Sequence, residues 1–268
     1  MQLQTIFDRL WKDYTEQNPA VKKVYDLLIS EGETIENDHI AFRTFDDSRI
    51  NIDVLSKAFI RAGYIYMSSY EFEEKHLFAR HFEHPCYKDA PRVFISQLKT
   101  KDFSPFLQQT IKSIIDKLPQ EILSSPDLIF SGNLWGMPSF AVYQQLLAES
   151  EYAAWLYVFG FRANHFTVSI NSLKKYNDIR LLNEFLKQHQ FSINDAGGEV
   201  KGSPAELLEQ SSIRSGLVTV EFTEGTYEIP SCYYEFAKRY IGANCKLYSG
   251  FIAKSADKIF ESTNFYNK

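Results

Sequence analysis

Few cysteines and the lack of a long apolar run limit what this protein can be. The three cysteines, Cys86, Cys232 and Cys245, are odd in number and form no CxxC pair, so neither a disulfide framework nor a zinc ribbon is indicated. The longest apolar run, residues 152–161, is too short to span a bilayer, and the first residues lack the pattern of a secretory signal. We therefore expect a cytoplasmic protein without a membrane partner.

Blocks of basic residues are missing as well. The formal net charge is -5, with 29 Lys and Arg against 34 Asp and Glu, and no Lys/Arg run is long enough to bind a polyanion. The sequence also lacks GxGxxG, P-loop, GxSxG and HExxH motifs, which removes the usual signals for nucleotide binding and serine-hydrolase chemistry. Nucleic acid is therefore not an expected partner, and a globular enzyme or binding protein remains.

The pattern of apolar residues predicts an α+β fold. Residues 1–36 have helical apolar spacing interrupted near Pro19, which favours two helices. Residues 37–100 have the order β-α-β-β-β, with the helix in residues 50–64. Residues 101–160 are mainly helical and have the character of an insertion.

The same β-α-β pattern returns in residues 161–242, followed by a C-terminal tail in residues 243–268. The predicted elements of this second unit are a helix in residues 178–191, a short capped helix in residues 203–210, and strands in residues 191–195, 216–222 and 229–240. We expect the whole chain to form one catalytic domain.

A shift of 126 residues relates the two units and places His165 on His39. It also aligns helix positions that we predict to be in the core, namely Leu55 with Leu181 and Phe59 with Phe185. These matches indicate a weak internal repeat of one βαβββ unit. Two such units side by side can curl into a shared half-barrel with helices on its outer face.

The two histidine-bearing strands are polar on one face only. His39, Ala41 and Arg43 alternate with apolar residues, and residues two apart on a strand share a face. His165 lies in a strand of the same kind. Pseudo-symmetry would bring both imidazoles into the cavity, and two imidazoles with one carboxylate make the facial triad typical of non-haem Fe(II) enzymes.

Glu235 is our candidate for the carboxylate, because it lies among aromatic residues in the last predicted strand, where a solvated glutamate is unexpected. Glu221 and Glu224 are rivals. Taken alone, Glu235 is equally explained as a partner of Lys238 or Arg239 on a sheet surface.

Arg43 and a second histidine cluster have less specific patterns. Arg43 shares a face with His39 and has a planar guanidinium suited to carboxylates, although a structural role is an open alternative. His76, His81 and His84 are not spaced to put two ligands on one helix face. We interpret this cluster as a surface feature or as support for the site.

Five segments between residues 37 and 240 jointly resemble one known family. They are NDHIAFRTF, PRVFISQL, SEYAAWLYVFGFRANHFTVSIN, GSPAELLEQSS and IPSCYYEFAKRY. Together they resemble the 2-oxoadipate dioxygenase/decarboxylase family, also called hydroxyglutarate synthases, whose fold is of the vicinal-oxygen-chelate type.

This resemblance implies an Fe(II) enzyme that converts 2-oxoadipate and O2 to 2-hydroxyglutarate and CO2, a step of lysine catabolism. It implies metal ligands at His39, His165 and Glu235, and it makes Arg43 the residue that holds a substrate carboxylate. A 2-oxo acid can chelate the metal through its keto oxygen and C1 carboxylate, which leaves a position for O2.

Four further motif residues are placed near the cavity without a role: Arg162, Ser211, Ser212 and Tyr234. The tail, residues 259–268, is a candidate for closing the site. Because a fold does not fix a reaction, the alternatives are another metal-dependent isomerase, lyase or ring-cleaving dioxygenase acting on a different oxo acid, or a small-molecule binding protein without turnover.

Overall fold

The computed structural model of the chain describes residues 2–252, 258 and 259. Its first elements are the two expected helices, α1 (Leu3–Gln17) and α2 (Pro19–Ser30). Pro19 lies in the first turn of α2, where its missing N–H breaks no helical hydrogen bond. Each helix buries one apolar stripe, so both form part of the core.

The next elements follow the predicted β-α-β-β-β order. They are β1 (Asn37–Phe45), α3 (Ile52–Leu55), α4 (Lys57–Arg61), β2 (Ile65–Phe72), β3 (Leu77–Glu83) and β4 (Arg92–Leu98). The single helix expected in residues 50–64 is wrong, because the chain breaks it at Ser56. The buried Ser56 side chain donates to the carbonyl of Asp53, a local bond that competes with continued helix.

The insertion is helical, as expected. It contains α5 (Pro105–Ile115), α6 (Gln120–Ser124), α7 (Phe140–Glu149) and α8 (Glu151–Phe159). Every residue of α8 except Glu151 is buried, which fits a helix that is apolar on all sides. This helix contacts α7 and β1.

The remaining elements belong to the second unit. They are β5 (Ala163–Ser169), α9 (Ile179–Gln188), β6 (Lys201–Ser203), β7 (Leu208–Ser212), β8 (Leu217–Phe222), β9 (Gly225–Pro230) and β10 (Glu235–Arg239). Eight strands form one sheet in the order β2-β3-β4-β1-β5-β10-β7-β6. We call β2, β3, β4 and β1 the first half and the other four strands the second half.

The two halves have matching connections on either side of the β1–β5 junction. In the first half β1 pairs parallel with β4, and in the second half β5 pairs parallel with β10. β1 and β5 themselves are antiparallel. The predicted α+β half-barrel made of two related units is therefore confirmed.

Several details of the second half were predicted incorrectly. Residues 203–210 form only a 3-10 turn at Pro204–Glu206, although Ser203 does cap it. Leu207 then adopts a left-handed backbone conformation (φ 65°), which ends the turn and starts β7. The predicted strand in residues 216–222 is β8, and it pairs with β9 in a separate hairpin outside the sheet.

Two other expected strands and one core position also differ. Residues 191–195 form only an isolated bridge, from Ile193 to Ile213, and residues 229–240 divide between β9 and β10. Leu181, expected in the core by alignment with Leu55, is 50% exposed. Its neighbour Leu182 is buried instead, because α9 turns that side towards the sheet.

Helices cover the outer face of the sheet, where α3 contacts β4, α1 contacts β5 and α9 contacts β7. The apolar side chains of the central strands that point to this face are fully buried, among them Ile40, Phe42, Phe166 and Val168. The polar side chains of the same strands lie on the inner face. No helix in the described part of the chain is long and apolar enough to cross a membrane.

Candidate metal centre

Three side chains that can bind a metal converge on the inner face of the sheet. His39 on β1, His165 on β5 and Glu235 on β10 offer ligand atoms that all lie within 4.8 Å of one another. Nε2 of His165 is 3.1 Å from Oε2 of Glu235, and Nε2 of His39 is 3.7 Å from Oε1. The three residues are at most 3% exposed, so the cluster is buried in the protein.

Strand register explains why these residues meet. In the antiparallel β1–β5 pair, His39 is opposite Thr167 and Ala41 is opposite His165. In the parallel β5–β10 pair, Thr167 is opposite Glu235. Opposite residues share a face, so adjacent strands place all three ligands side by side.

A β-bulge precedes each histidine. The β1–β5 register shifts at Asp38 and again at Asn164, and such bulges re-aim nearby side chains. Nδ1 of His39 donates to Oδ1 of Asp38 at 2.8 Å, and Nδ1 of His165 donates to Oδ1 of Asn164 at 3.0 Å. Both rings therefore direct Nε2 into the cluster.

Sequence reasoning missed this pair of supporting residues. The shift of 126 residues that relates the histidines also aligns Asp38 with Asn164. The repeat therefore contained the signal, as a hydrogen-bond acceptor directly before each histidine.

Asp38 is also half of a buried ion pair. Its two carboxylate oxygens accept from Nε and Nη2 of Arg239, at 2.6 and 2.9 Å. Burial would raise the pKa of Asp38, but Arg239 and His39 outweigh it and hold that pKa well below its ordinary value. Arg239 also donates to the carbonyls of Tyr248 and Gly250. It therefore connects the C-terminal segment to Asp38, the residue that orients His39.

Phe251 closes one side of the cluster. Its ring centroid is 4.8 Å from the ring of His39 and 4.8 Å from that of Phe94, and its backbone N–H donates to the Tyr70 hydroxyl. A cavity of about 20 Å³ remains between these rings and the cluster, and Ile259 also lines it. The other tail residues expected to close the site, 260–268, lie outside the described residues.

The protonation states suit metal binding. Burial would raise the pKa of Glu235, but His39, His165 and a hydrogen bond from Gln210 (2.6 Å) outweigh it and lower that pKa. Burial lowers the pKa of His165, although Glu235 opposes the shift. Near neutral pH the cluster therefore offers an ionised carboxylate and a neutral imidazole, the forms that coordinate metals.

Arg43 lies on the inner face of β1, buried against α8. Its guanidinium carbon is 4.8 Å from the ring of Tyr152 and 5.3 Å from that of Trp155. Nη1 donates to Glu151 at 3.0 Å, whereas Nε and Nη2 have no hydrogen-bond partner among the described residues. Two donors of one guanidinium thus remain for a planar acceptor such as a carboxylate.

Of the two serines expected near the cavity, one lies on each face of β7. Ser212 is opposite Glu235 and shares its inner face. Ser211 points to the outer face, where its hydroxyl donates to Asn183 of α9. The prediction that Ser211 lies at the cavity is wrong, because neighbouring strand residues point to opposite faces.

Arg162 and Tyr234 are not brought to the cavity either. Arg162 forms an ion pair with Asp13 of α1 at 3.4 Å. Tyr234 precedes the ligand strand and packs against Trp11 of α1. Both side chains thus join the sheet to the N-terminal helix, which makes this part of the prediction wrong.

The rival carboxylates lie outside the eight-stranded sheet that carries the two histidines. Glu221 is exposed on the separate hairpin. Glu224 accepts hydrogen bonds from the Ser139 hydroxyl and from the N–H groups of Phe140 and Ala141 at the start of α7. It therefore caps a helix and is not available as a ligand.

The second histidine cluster does not form a site. His76 is exposed beside Asp102, and Nδ1 of His84 accepts from backbone N–H groups of its own loop. His81 is buried on the inner face, where it contacts the Tyr70 hydroxyl at 2.8 Å and the ring of Phe251. Of the three, only His81 supports the wall of the metal centre.

Comparison with known proteins agrees with this geometry. The family model for 2-oxoadipate dioxygenase/decarboxylase matches residues 4–129 and 127–245. The chloroplastic/amyloplastic 2-oxoadipate dioxygenase/decarboxylase of Oryza sativa subsp. japonica is 35% identical over 286 residues, which cover 97% of this chain and 78% of that protein.

Two solved structures are similar over nearly the whole chain. Hydroxyglutarate synthase from Oryza sativa, in complex with 2-oxoadipate, is 34% identical with a TM-score of 0.91, covering 97% of this chain and 91% of the other. A Shewanella frigidimarina NCIMB 400 protein with a provisional hydrolase description is 49% identical with a TM-score of 0.88, covering 94% and 98%. The chain thus belongs to the 2-oxoadipate dioxygenase/decarboxylase family.

Proposed function

We propose that this chain is one catalytic domain that uses Fe(II) and O2 to convert 2-oxoadipate to 2-hydroxyglutarate and CO2. We place the reaction in lysine degradation and the enzyme in the cytoplasm. The observation that carries the proposal is the buried cluster of His39, His165 and Glu235. The rice relatives named for 2-oxoadipate support the choice of substrate.

The donor set fits Fe(II). Two imidazoles and one carboxylate leave coordination positions open, which is the arrangement of non-haem iron oxygenases. Bound Fe(II) would supply the redox chemistry for O2 and would hold the keto oxygen and C1 carboxylate of a 2-oxo acid. Asp38 and Asn164 would keep each imidazole in the tautomer that presents Nε2 to the metal.

Arg43 would bind and orient a substrate carboxylate. Its side chain is 2% exposed and is held by Glu151 and by two aromatic rings of α8. A guanidinium fixed in this way loses little conformational freedom when it binds. Because the site is buried, the ion pair is screened less than one at the surface.

Aromatic residues would keep water away from the reacting groups. Phe94 and Phe251 line the cavity together with Ile259. Their apolar surfaces suit the methylene groups of a 2-oxo diacid. A dry site also strengthens the electrostatic contacts made by Arg43 and Glu235.

Oxygen consumption tests the proposal directly. The protein is loaded with Fe(II) under anaerobic conditions and given 2-oxoadipate or shorter 2-oxo acids, with His39→Ala and Glu235→Ala as controls. We expect O2 uptake with CO2 release on 2-oxoadipate, and neither in the two variants. No uptake with any 2-oxo acid despite stoichiometric iron would contradict the proposal and favour an isomerase, lyase or ring-cleaving dioxygenase on the same scaffold.

A further inference from the structure

Tyr233 is a fully buried tyrosine just before β10, and the proposed chemistry does not yet use its hydroxyl. The backbone carbonyl of Tyr233 accepts a hydrogen bond from the Tyr14 hydroxyl. Its own hydroxyl has no hydrogen-bond partner among the described residues. Leaving a buried hydroxyl without a partner costs about 1–3 kcal/mol, so its surroundings need an explanation.

The ring of Tyr233 lies against a metal ligand. It stacks on the ring of His165, with centroids 4.8 Å apart and an interplanar angle of 27°. Tyr233 is also two residues before Glu235, and residues two apart in an extended chain share a face. The neighbouring Tyr234 packs instead against Trp11 on the outer face. Of these two adjacent tyrosines, Tyr233 is thus the one on the inner face.

Strand register places Tyr233 between the metal centre and Arg43. His165 is opposite Ala41 of β1, so the stacked ring of Tyr233 is level with Ala41. The ligand His39 is two residues from Ala41 in one direction and Arg43 is two residues away in the other, about 7 Å each. Tyr233 is close enough to Arg43 for the two side chains to interact electrostatically. Its hydroxyl therefore lies beside the path that joins the metal centre to Arg43.

The charged neighbours of Tyr233 do not offer an acceptor for its proton. Glu235 is a metal ligand and already accepts from Gln210. Arg43 has donors only, and its Nε and Nη2 have no hydrogen-bond partner among the described residues either. This part of the inner face thus contains three unpartnered donors, which suits oxygen atoms of a ligand.

We propose that the Tyr233 hydroxyl donates a hydrogen bond to the oxygen atom that is added to C3 of the 2-oxo acid. The inference rests on the proposed function and deepens it, because it assigns a residue that acts during oxygen transfer. In the balanced reaction the C1–C2 bond breaks and C1 leaves as CO2. One atom of O2 joins C2, which becomes a carboxylate, and the other enters a C3–H bond and becomes the hydroxyl.

The position of C3 follows from the two anchored ends of the substrate. C1 and C2 are held at the metal centre and a carboxylate is held by Arg43, so C3 is the first free carbon on the path past Tyr233. In the substrate C3 is a methylene group, which leaves the hydroxyl unpaired. Oxygen transfer supplies the missing acceptor, so the hydrogen bond stabilises the transition state and product more than the substrate complex.

Tyr233→Phe tests this assignment, because it removes the hydroxyl and no hydrogen bond to a described residue. The variant should be as stable as wild type. In the Fe(II)-loaded protein, kcat for 2-hydroxyglutarate formation should fall about tenfold or more, whereas the anaerobic Kd of 2-oxoadipate should change less than about twofold. Tyr234→Phe is the matched control, since it removes an equally buried and unpartnered hydroxyl from the outer face, and it should behave as wild type.

Product binding gives a second readout that needs no turnover. Anaerobic calorimetry compares 2-hydroxyglutarate with glutarate, which lacks only the C2 hydroxyl. Tyr233→Phe should lower the preference for 2-hydroxyglutarate about fivefold relative to wild type, and Tyr234→Phe should leave that preference unchanged.

An unchanged kcat or an unchanged product preference in Tyr233→Phe would overturn the assignment. A rise in the Kd of 2-oxoadipate that accounts for the whole loss of kcat/KM would also overturn it, because the hydroxyl would then bind the substrate before oxygen transfer. If the wild type shows no turnover, the proposed function fails, and the product preference alone decides whether Tyr233 contacts the hydroxyl oxygen.

Discussion

The two halves of the sheet share one topology but contribute unequally to the metal centre. Ala41 of β1 is opposite Phe94 of β4, and the equivalent residue of β5, Thr167, is opposite Glu235 of β10. Phe94 thus stands where the second half has its carboxylate. The consequence is a site with two imidazoles and one carboxylate, which leaves positions for substrate and O2.

The supports of the two histidines differ in charge. Asp38 of the first half is ionised and paired with Arg239, whereas Asn164 of the second half is neutral. Through Arg239, the first-half histidine is also connected to the backbone at Tyr248 and Gly250. Removing the two supports should therefore have unequal effects, although they occupy equivalent positions.

Removal of the single carboxylate is expected to have the largest effect. Glu235→Gln should lower metal affinity and activity about a thousandfold or more, because a coordinating charge worth several kcal/mol is lost. The measurement is metal titration beside O2 uptake. Glu209→Gln is the control, since Glu209 is equally buried but pairs with Arg180 of α9, and it should retain metal. Full metal binding by Glu235→Gln would contradict the assignment.

Arg43 is a second difference between the two halves, because the equivalent residue of β5 is Ser169. Arg43→Lys should lower kcat/KM for 2-oxoadipate about a hundredfold, since an ammonium does not reproduce two parallel N–H donors. Metal affinity should stay the same. A variant that loses metal and substrate binding together would show that Arg43 supports the centre instead of binding substrate.

The two histidine supports can be compared directly. Asp38→Ala should weaken metal binding by about 10- to 100-fold and lower the free energy of unfolding by about 3–5 kcal/mol, because Arg239 loses its buried partner. Asn164→Ala should weaken metal binding about tenfold and cost about 1 kcal/mol. Calorimetric metal titration and denaturant unfolding measure both quantities. Equal losses in the two variants would remove the asymmetry that we describe.

The smallest effect concerns the β8–β9 hairpin, which only the second unit has. Hydrogen bonds from Ser139 and from the start of α7 lower the pKa of Glu224 to about 2, below its ordinary 4.5. The stabilisation is therefore complete above about pH 4.5 and is lost as the pH falls towards 2. Glu224→Gln should lower the thermal midpoint at pH 7 slightly and flatten its decline below pH 4.5. An unchanged pH profile would contradict the capping role.

The repeat in the sequence was sufficient to predict the half-barrel and the pairing of its histidine strands. The reason is that strand alternation and the shift of 126 residues both depend on side-chain type, which the sequence shows. Residue types also favoured Glu235 over Glu221 and Glu224, because Glu235 lies among aromatic residues.

Other features depend on contacts that one sequence does not show. The segment beginning at Ser203 has a valid capping box, yet Leu207 ends the turn and the next residues pair with β10. Ser211 and Ser212 were predicted together, but only the register with Glu235 decides which one faces inwards.

X-ray absorption spectroscopy of the Fe(II)-loaded protein tests the central claim most directly, since it counts the ligands that each half supplies. We predict one iron per chain with two imidazoles and one carboxylate from the protein, and the loss of one imidazole in either His39→Ala or His165→Ala. An additional imidazole that disappears in His81→Ala, or an unchanged spectrum in Glu235→Gln, would contradict the unequal contribution of the two halves.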